Sequence, residues 1–387
     1  MRRRPVPVVV AAAALVAWTA AAVLPISLGV VTLGGAARVG GPALGAAAAG
    51  SPMALDRAAR PDALPGELAR VAAAIGADDL WAEGIDGRGV GVALVDSGVG
   101  PAAGLDTDAV IVGPDFTDDA GTARAHLDAT GHGTHLAGII AGRTLSGTGA
   151  IGDFTGLAPA AHIVSLKVVA SDGTTDPRDV VEAVDWAVAH RVELNIRVLN
   201  LAYTTNQFAG WRVDPLEQAA TRARNAGIVV VVAAGNDGGE SPLRSPASSA
   251  ATLVVGAVEA DGTVAPFSSR GDAARRVDVM APGRSIVSVV PRGSAPLREH
   301  PESVLEGVLI KATGTSQAAA VVSGAAALVV QAHPWMNPDE IRTALTASAP
   351  TTLDLSAAKL DSPAVSLAGA GETAEWHGQE WHGQEWR

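Results

Sequence analysis

The sequence predicts a three-layer α/β fold with a mostly parallel central sheet between helices, and three observations carry that expectation. Short β-branched, apolar runs at residues 91–94, 163–169, 198–201, 228–233 and 252–258 show no polar alternation, as strands covered on both faces require. Ala-rich stretches with helical spacing lie between them. The chain of 387 residues, 48% hydrophobic and 18% charged, is long enough to bury a large core.

In chain order, Arg2, Arg3 and Arg4 precede a run without charge over residues 6–37, so residues 1–50 read as an export segment. Two forms stay open. One is a cleaved signal with small residues at 20–22 or 46–48; the other is an uncleaved anchor with the arginines inside and the remainder outside. Both place the rest of the chain in a secreted or extracytoplasmic setting. Residues 51–77, rich in Gly, Ala and Pro, read as a linker or short pro-segment with a weakly helical piece at 67–75. The folded domain is expected over residues 78–350.

Within it, the run at 91–94 leads directly to Asp96, and a helix is expected to begin near His132. Further helices are expected at 180–189, at 216–225 with Gly227 as a C-terminal cap, from Ser316 to about residue 330, and at 338–347 behind Asn337 as N-cap. The apolar run after Ser316 is read as too short for a membrane span, with Ser323 and Gly324 inside it and Gln331 and His333 closing it. Residues 351–387 lose the alternation and end in a Glu-Trp-His-Gly-Gln repeat at 375–379 and 380–384. This tail reads as a disordered end, with a Trp-mediated surface contact as the alternative.

Composition excludes several functions. A formal net charge of −12 without a basic cluster in the folded part argues against nucleic acid. The absence of cysteine removes thiol catalysis, disulfides and Cys-ligated zinc. Gly87, Gly89 and Gly91 precede a strand, whereas a dinucleotide loop needs its glycines after one.

Four segments carry candidate chemistry. Val95-Asp96-Ser97-Gly98 holds a carboxylate at the end of a buried strand. Gly131-His132-Gly133-Thr134-His135 sets a histidine at a helix start, with glycines that permit close approach of other backbone. His132 and His135 are three apart, but the intervening glutamate of a zinc-peptidase helix is missing. Gly314-Thr315-Ser316 opens a small-residue helix whose first N–H groups are unsatisfied and suited to negative charge. Ala233-Ala234-Gly235-Asn236 follows a β-branched strand and offers a side-chain amide. Taken singly, each has a bland reading as a cap or turn.

Together, in the order Asp, His, Ser, these segments resemble the subtilisin-like (subtilase) family of serine peptidases. Residues 92–99, 131–142, 156–167, 229–238, 267–271, 281–283 and 314–324 look like subtilase motifs in the family's order, and the likeness spans about residues 74–348. The resemblance implies a serine endopeptidase acting on proteins or peptides, with Ser316 as nucleophile, His132 as base, Asp96 as orienting carboxylate and Asn236 as oxyanion donor. It implies substrate contacts along Leu201, Ala202, Tyr203 and Thr204 and at Ala234 and Gly235. No cofactor is required by that chemistry, and a monomer is expected. Structural calcium is left open, since residues 142–156 lack an Asn-rich loop, and no metal ligand is named. Retention at a membrane or cell wall also stays open.

The chain departs from the family pattern at Gln317 and Ala320, where the family usually has Met and Pro, and at Ala202-Tyr203-Thr204, where it has Ser, an apolar residue and Gly. A β-branched Thr204 in place of glycine is expected to narrow the primary pocket and favour small P1 residues. The altered strand also keeps a second reading in view, a catalytically impaired binding module at the cell surface. The stretch before residue 75 is shorter than an inhibitory pro-domain of the family.

Overall fold

The computed structural model describes residues 54–55, 67–106, 108–146, 154–205, 214–305, 309–347 and 352–356. The export segment at 1–50 and the repeat at 375–387 lie outside the described residues. In chain order the elements are β1 (Ala54–Leu55), α1 (Glu67–Ala74), α2 (Ala77–Ala82), β2 (Gly91–Asp96), β3 (Val110–Asp115), α3 (His132–Ala141), β4 (His162–Lys167), α4 (Pro177–His190), β5 (Ile196–Leu201), α5 (Pro215–Asn225), β6 (Val229–Ala233), β7 (Leu253–Val258), β8 (Val279–Pro282), β9 (Ile286–Val289), α6 (Ala295–Glu299), β10 (Leu309–Thr313), α7 (Thr315–Ala332) and α8 (Pro338–Leu345).

Seven strands form one sheet in the order β3-β4-β2-β5-β6-β7-β8, and every pairing in it is parallel. Its central strands read as uninterrupted apolar runs because each face has its own core. Val92 and Leu94 of β2 join the larger cluster with α3 and α7, while Ala93 and Val95 join a second cluster with α4 and α5. The α/β three-layer expectation therefore holds. A smaller antiparallel sheet, β1-β10-β9, leads into the nucleophile segment through β10.

Local chemistry places the helix starts. Asp176 and Asp214 cap α4 and α5, each with Pro at the first helical position, and Asn337 with Glu340 forms a capping box on α8. The edge strand β3 was not expected from the pattern. Ile111 and Val112 are exposed on it and Gly113-Pro114 follow, so it carries neither a buried run nor a clean alternation.

Two boundaries need correction. Helix α1 falls inside the segment read as linker, yet Leu68, Val71, Ala72 and Ile75 are buried in the larger core. At the other end Leu353 and Leu355, assigned to the tail, are also buried. The Leu353 N–H donates to Met280 O at 2.7 Å and the Leu355 N–H to Ile75 O at 2.9 Å. The first segment carries the helical spacing 68, 71, 72 and 75, read above as a weakly helical piece, whereas Leu353 and Leu355 alone give no periodic signal.

Helix α7 is the central strut. Its 18 residues are long and apolar enough to cross a membrane, but it is buried against β5, β6, β7, β8 and α3. Burial, rather than the length argued from sequence, identifies it as a core helix. A buried hydrogen bond from Asn200 Nδ2 to Ser323 Oγ, 2.8 Å long, ties it to β5. Its small residues allow close approach: a Cβ added at Gly324 would stand 2.6 Å from Leu157 Cβ. Gly324→Val is expected to destabilise the fold by about 1–3 kcal/mol through overpacking, measured as a lowered denaturation midpoint.

Candidate active site

The carboxyl ends of parallel strands are where α/β sheets place their ligand sites, and two of the four candidate segments, with the expected substrate strand, lie at or after such ends. Asp96 is the last residue of β2, Asn236 follows β6, and the substrate segment at 202–204 follows β5. His132 opens α3 and Ser316 is the second residue of α7. The two helices pack against each other.

Asp96 and His132 are joined directly. His132 Nδ1 lies 2.7 Å from Asp96 Oδ1, with the imidazole 18% exposed and the carboxylate 5%. Asp96 also accepts the Ser97 N–H at 2.8 Å. The approach depends on two glycines. Gly131, with φ 76, takes the left-handed conformation that turns the chain into the helix, and a Cβ at Gly133 would overlap the Gly98 carbonyl and sit 3.2 Å from Asp96 Oδ1.

A second buried carboxylate, not singled out in the sequence, holds this junction together. Asp128 Oδ1 accepts from Ser97 Oγ at 2.8 Å, Thr130 Oγ1 at 3.1 Å and the Gly131 N–H at 2.8 Å. Its Oδ2 accepts from the Thr134 N–H at 2.9 Å and Thr134 Oγ1 at 2.6 Å. Ser97 Oγ in turn accepts the Gly133 N–H at 2.9 Å. Asp128 thus fixes the loop on the N-terminal side of His132, the first turn of α3 and the residue next to Asp96. An aspartate four residues before a helix histidine looks like an ordinary turn residue; its only signal was the Asp-x-Thr spacing that favours local capping.

Behind the junction stands Lys167, buried at the end of β4 in register with Asp96. Its amine donates to Leu127 O at 2.9 Å and pairs with Asp119 at 3.2 Å, which pins the loop that delivers Asp128. Asp119 further accepts the Ser171 N–H and hydroxyl, each at 2.7 Å. These donors outweigh its burial and lower its pKa.

Charge follows geometry. Burial disfavours a charged His132, but the Asp96 carboxylate, by charge and hydrogen bond, and the charge of Asp128 raise its pKa above the usual 6.5. Burial raises the pKa of Asp128 as well, against the bonds from Thr134 and Ser97. His135 faces the core rather than the cleft, and burial together with the neighbouring His132 pushes its pKa down to about 3. The two histidines therefore do not share a site. Among the described residues no group of three His, Asp or Glu side chains is placed to hold a metal.

The Asn236 amide has one orientation available. Its Oδ1 receives the Thr315 N–H at 2.9 Å and Thr315 Oγ1 at 3.0 Å. A backbone N–H only donates, so the oxygen must face Thr315 and Nδ2 is left for the cleft. Nδ2 lies beside Gly314, two residues before Ser316, where an added Cβ would come within 3.4 Å. Asn236 is exposed and Ser316 half-buried, while Thr315 is buried and also accepts the Gly235 N–H. Among the described residues the Ser316 hydroxyl makes no hydrogen bond of its own; catalytic bonds of this kind commonly close only around substrate.

The substrate segment is split. Leu201, Tyr203 and Ala234 bury their side chains in the second core, so they can offer only backbone to a peptide. Ala202, Thr204 and Gly235 are half-exposed.

The subtilase family profile matches residues 87–371. The chain belongs to the subtilase family. It is 34% identical over 277 residues to serine protease AprX of Bacillus subtilis (strain 168), covering 67% of this chain and 61% of that one. It is 31% identical to subtilisin DY of Bacillus licheniformis, over 71% of this chain and 89% of the relative. A crystal structure of a cold adapted subtilisin-like serine proteinase aligns with TM-score 0.52 at 26% identity, over 67% of this chain and 82% of the other. The chain thus spans less than two thirds of AprX and nearly all of subtilisin DY. Within the subtilase frame, Ser97 and Asp128 supply the polar support of the Asp96–His132 pair.

Replacing Asp128 by Asn removes a charge that raises the His132 pKa and sets an amide N–H₂ against groups that donate. Asp128→Asn is expected to lower the His132 pKa in an NMR titration. It is also expected to reduce kcat/KM on a peptide by about ten- to a hundredfold, or about 1.4–2.7 kcal/mol. An unchanged titration would show that Asp128 does not act on the histidine.

Proposed function

We propose that the chain is a secreted or extracytoplasmic serine endopeptidase in which Ser316, His132 and Asp96 act as a triad. The observation that carries this reading is the 2.7 Å bond between His132 Nδ1 and Asp96, which leaves Nε2 as the base. Ser316 Oγ forms a bond to the scissile carbonyl carbon as its proton passes to His132 Nε2. Collapse of the tetrahedral species breaks the C–N bond, and the leaving amine takes that proton from His132. Water then attacks the Ser316 ester and gives its proton to His132; the C–Oγ bond breaks as His132 returns the proton to Ser316 Oγ, and the acid product departs. The Ser316 N–H, at the start of α7, and Asn236 Nδ2 stabilise the oxyanion.

Proteins or peptides are the substrates, and the steps use groups of this chain and water. The impaired-module reading rests on the altered strand Ala202-Tyr203-Thr204, in which Tyr203 packs its ring in the second core while Ala202 and Thr204 stay half-exposed. Extracytoplasmic placement rests on the charge-free segment behind three arginines, and one relative at 29% identity is named minor extracellular protease Epr, of Bacillus subtilis (strain 168).

A fluorophosphonate probe is expected to label the chain once, at Ser316, and labelling is expected to vanish in Ser316→Ala and His132→Ala. Labelling at another residue would contradict the assignment. A second outcome concerns pH. The base must be neutral, so kcat/KM should rise with pH through an apparent pKa above 6.5, the direction in which His132 is shifted. A profile flat from about pH 5 to 8 would exclude a histidine base.

A further inference from the structure

Gln317 directly follows the nucleophile, and its side chain is buried next to the oxyanion donors without a part in the steps above. Its Oε1 stands 2.9 Å from the point that a Cβ would occupy at Gly314, and Asn236 Nδ2 stands 3.4 Å from the same point. The bare backbone of Gly314 thus leaves a slot with one side-chain amide on each side. The two amides are held differently. Thr315 fixes Asn236 through Oδ1, whereas Gln317 Nε2 is buried with no hydrogen-bond partner among the described residues. An amide N–H₂ buried without an acceptor forfeits its hydration, which the methionine usual at this position in the family would not do.

We propose that Gln317 is a third oxyanion donor, whose amide turns Nε2 into the slot beside Asn236 as the scissile carbonyl oxygen becomes negative; this rests on the serine endopeptidase reading above. A half turn about Cγ–Cδ exchanges Oε1 and Nε2 and breaks no hydrogen bond of Nε2. In the free enzyme Oε1 faces the Asn236 amide across the slot, an acceptor toward a donor. Once Ser316 Oγ has bonded to the carbonyl carbon and its proton has passed to His132, the oxygen that meets Asn236 Nδ2 carries the negative charge. That charge repels Oε1 and attracts Nε2, so the contact is made in the tetrahedral species and not with the resting carbonyl. An interaction of that kind raises kcat and leaves KM alone.

The test compares the full chain with Gln317→Met and Gln317→Glu. Gln317→Met keeps the side-chain length and removes the donor. Its kcat on a peptide is expected to fall about tenfold with KM unchanged, while the denaturation midpoint holds or rises because the unpartnered amide is gone. Gln317→Glu sets a carboxylate against the oxyanion and is expected to lose more. A peptidyl trifluoromethyl ketone reads the oxyanion itself: Ser316 Oγ bonds to the ketone carbon, the proton passes to His132, and the hemiketal oxygen enters the slot. Followed by fluorine NMR, that oxygen is expected to titrate about one pH unit higher in Gln317→Met than in the wild type, the equivalent of the loss in kcat. A merely structural glutamine would lower the midpoint and leave the titration in place. An unchanged kcat and hemiketal titration in Gln317→Met, or a loss carried by KM, overturns the proposal while the endopeptidase reading stands. If the ketone forms no hemiketal and Ser316 takes no fluorophosphonate, the endopeptidase reading falls and this inference falls with it.

Discussion

Two carboxylates, Asp96 and Asp128, are buried at one loop-helix junction, and a buried negative charge is tolerated only where enough donors surround it. The fold around the site answers that demand. Ser97 bridges the two acids, Gly131 and Thr134 turn backbone N–H groups onto Asp128, and His132 comes to Asp96 as part of the same arrangement. Lys167, a buried amine at the end of β4, closes the loop by donating to Leu127 O. If the donors around Asp128 were removed, the first turn of α3 would lose what orients it, and His132 would lose its bond to Asp96.

The other half of the site is set by packing rather than charge. Helix α7 must lie close to four strands and to α3, which explains its run of Ala and Gly, and its start brings Thr315 against Asn236. One hydrogen-bonded contact therefore orients the amide and locates Ser316 together.

Much of this was legible in sequence because the central strands are apolar on both faces and each reactive residue follows or opens an element bounded by glycine. The runs leading to Asp96 and Asn236 and the helix starts at His132 and Ser316 needed no tertiary information. What escaped depends on distant partners. Asp128 has the local appearance of a turn residue, and its role exists only once Ser97, 31 positions away, is beside it. Leu353 and Leu355 look like tail residues until Ile75 and Met280 receive them. Strand β3 hides because an edge strand with Ile111 and Val112 exposed has neither a core run nor alternation. Leu201 and Tyr203, expected along the substrate, turn their side chains into the second core, because alternate residues of a strand face opposite sides.

The central claim is that Ser316 becomes covalently acylated through His132. Acid quenching within the first turnover on an activated ester, followed by peptide mapping, tests it most directly. The account predicts a mass increase equal to the acyl group on the peptide that contains Ser316, absent in His132→Ala. An acyl group on another residue, or turnover with no covalent species and no burst of the leaving group, would contradict it.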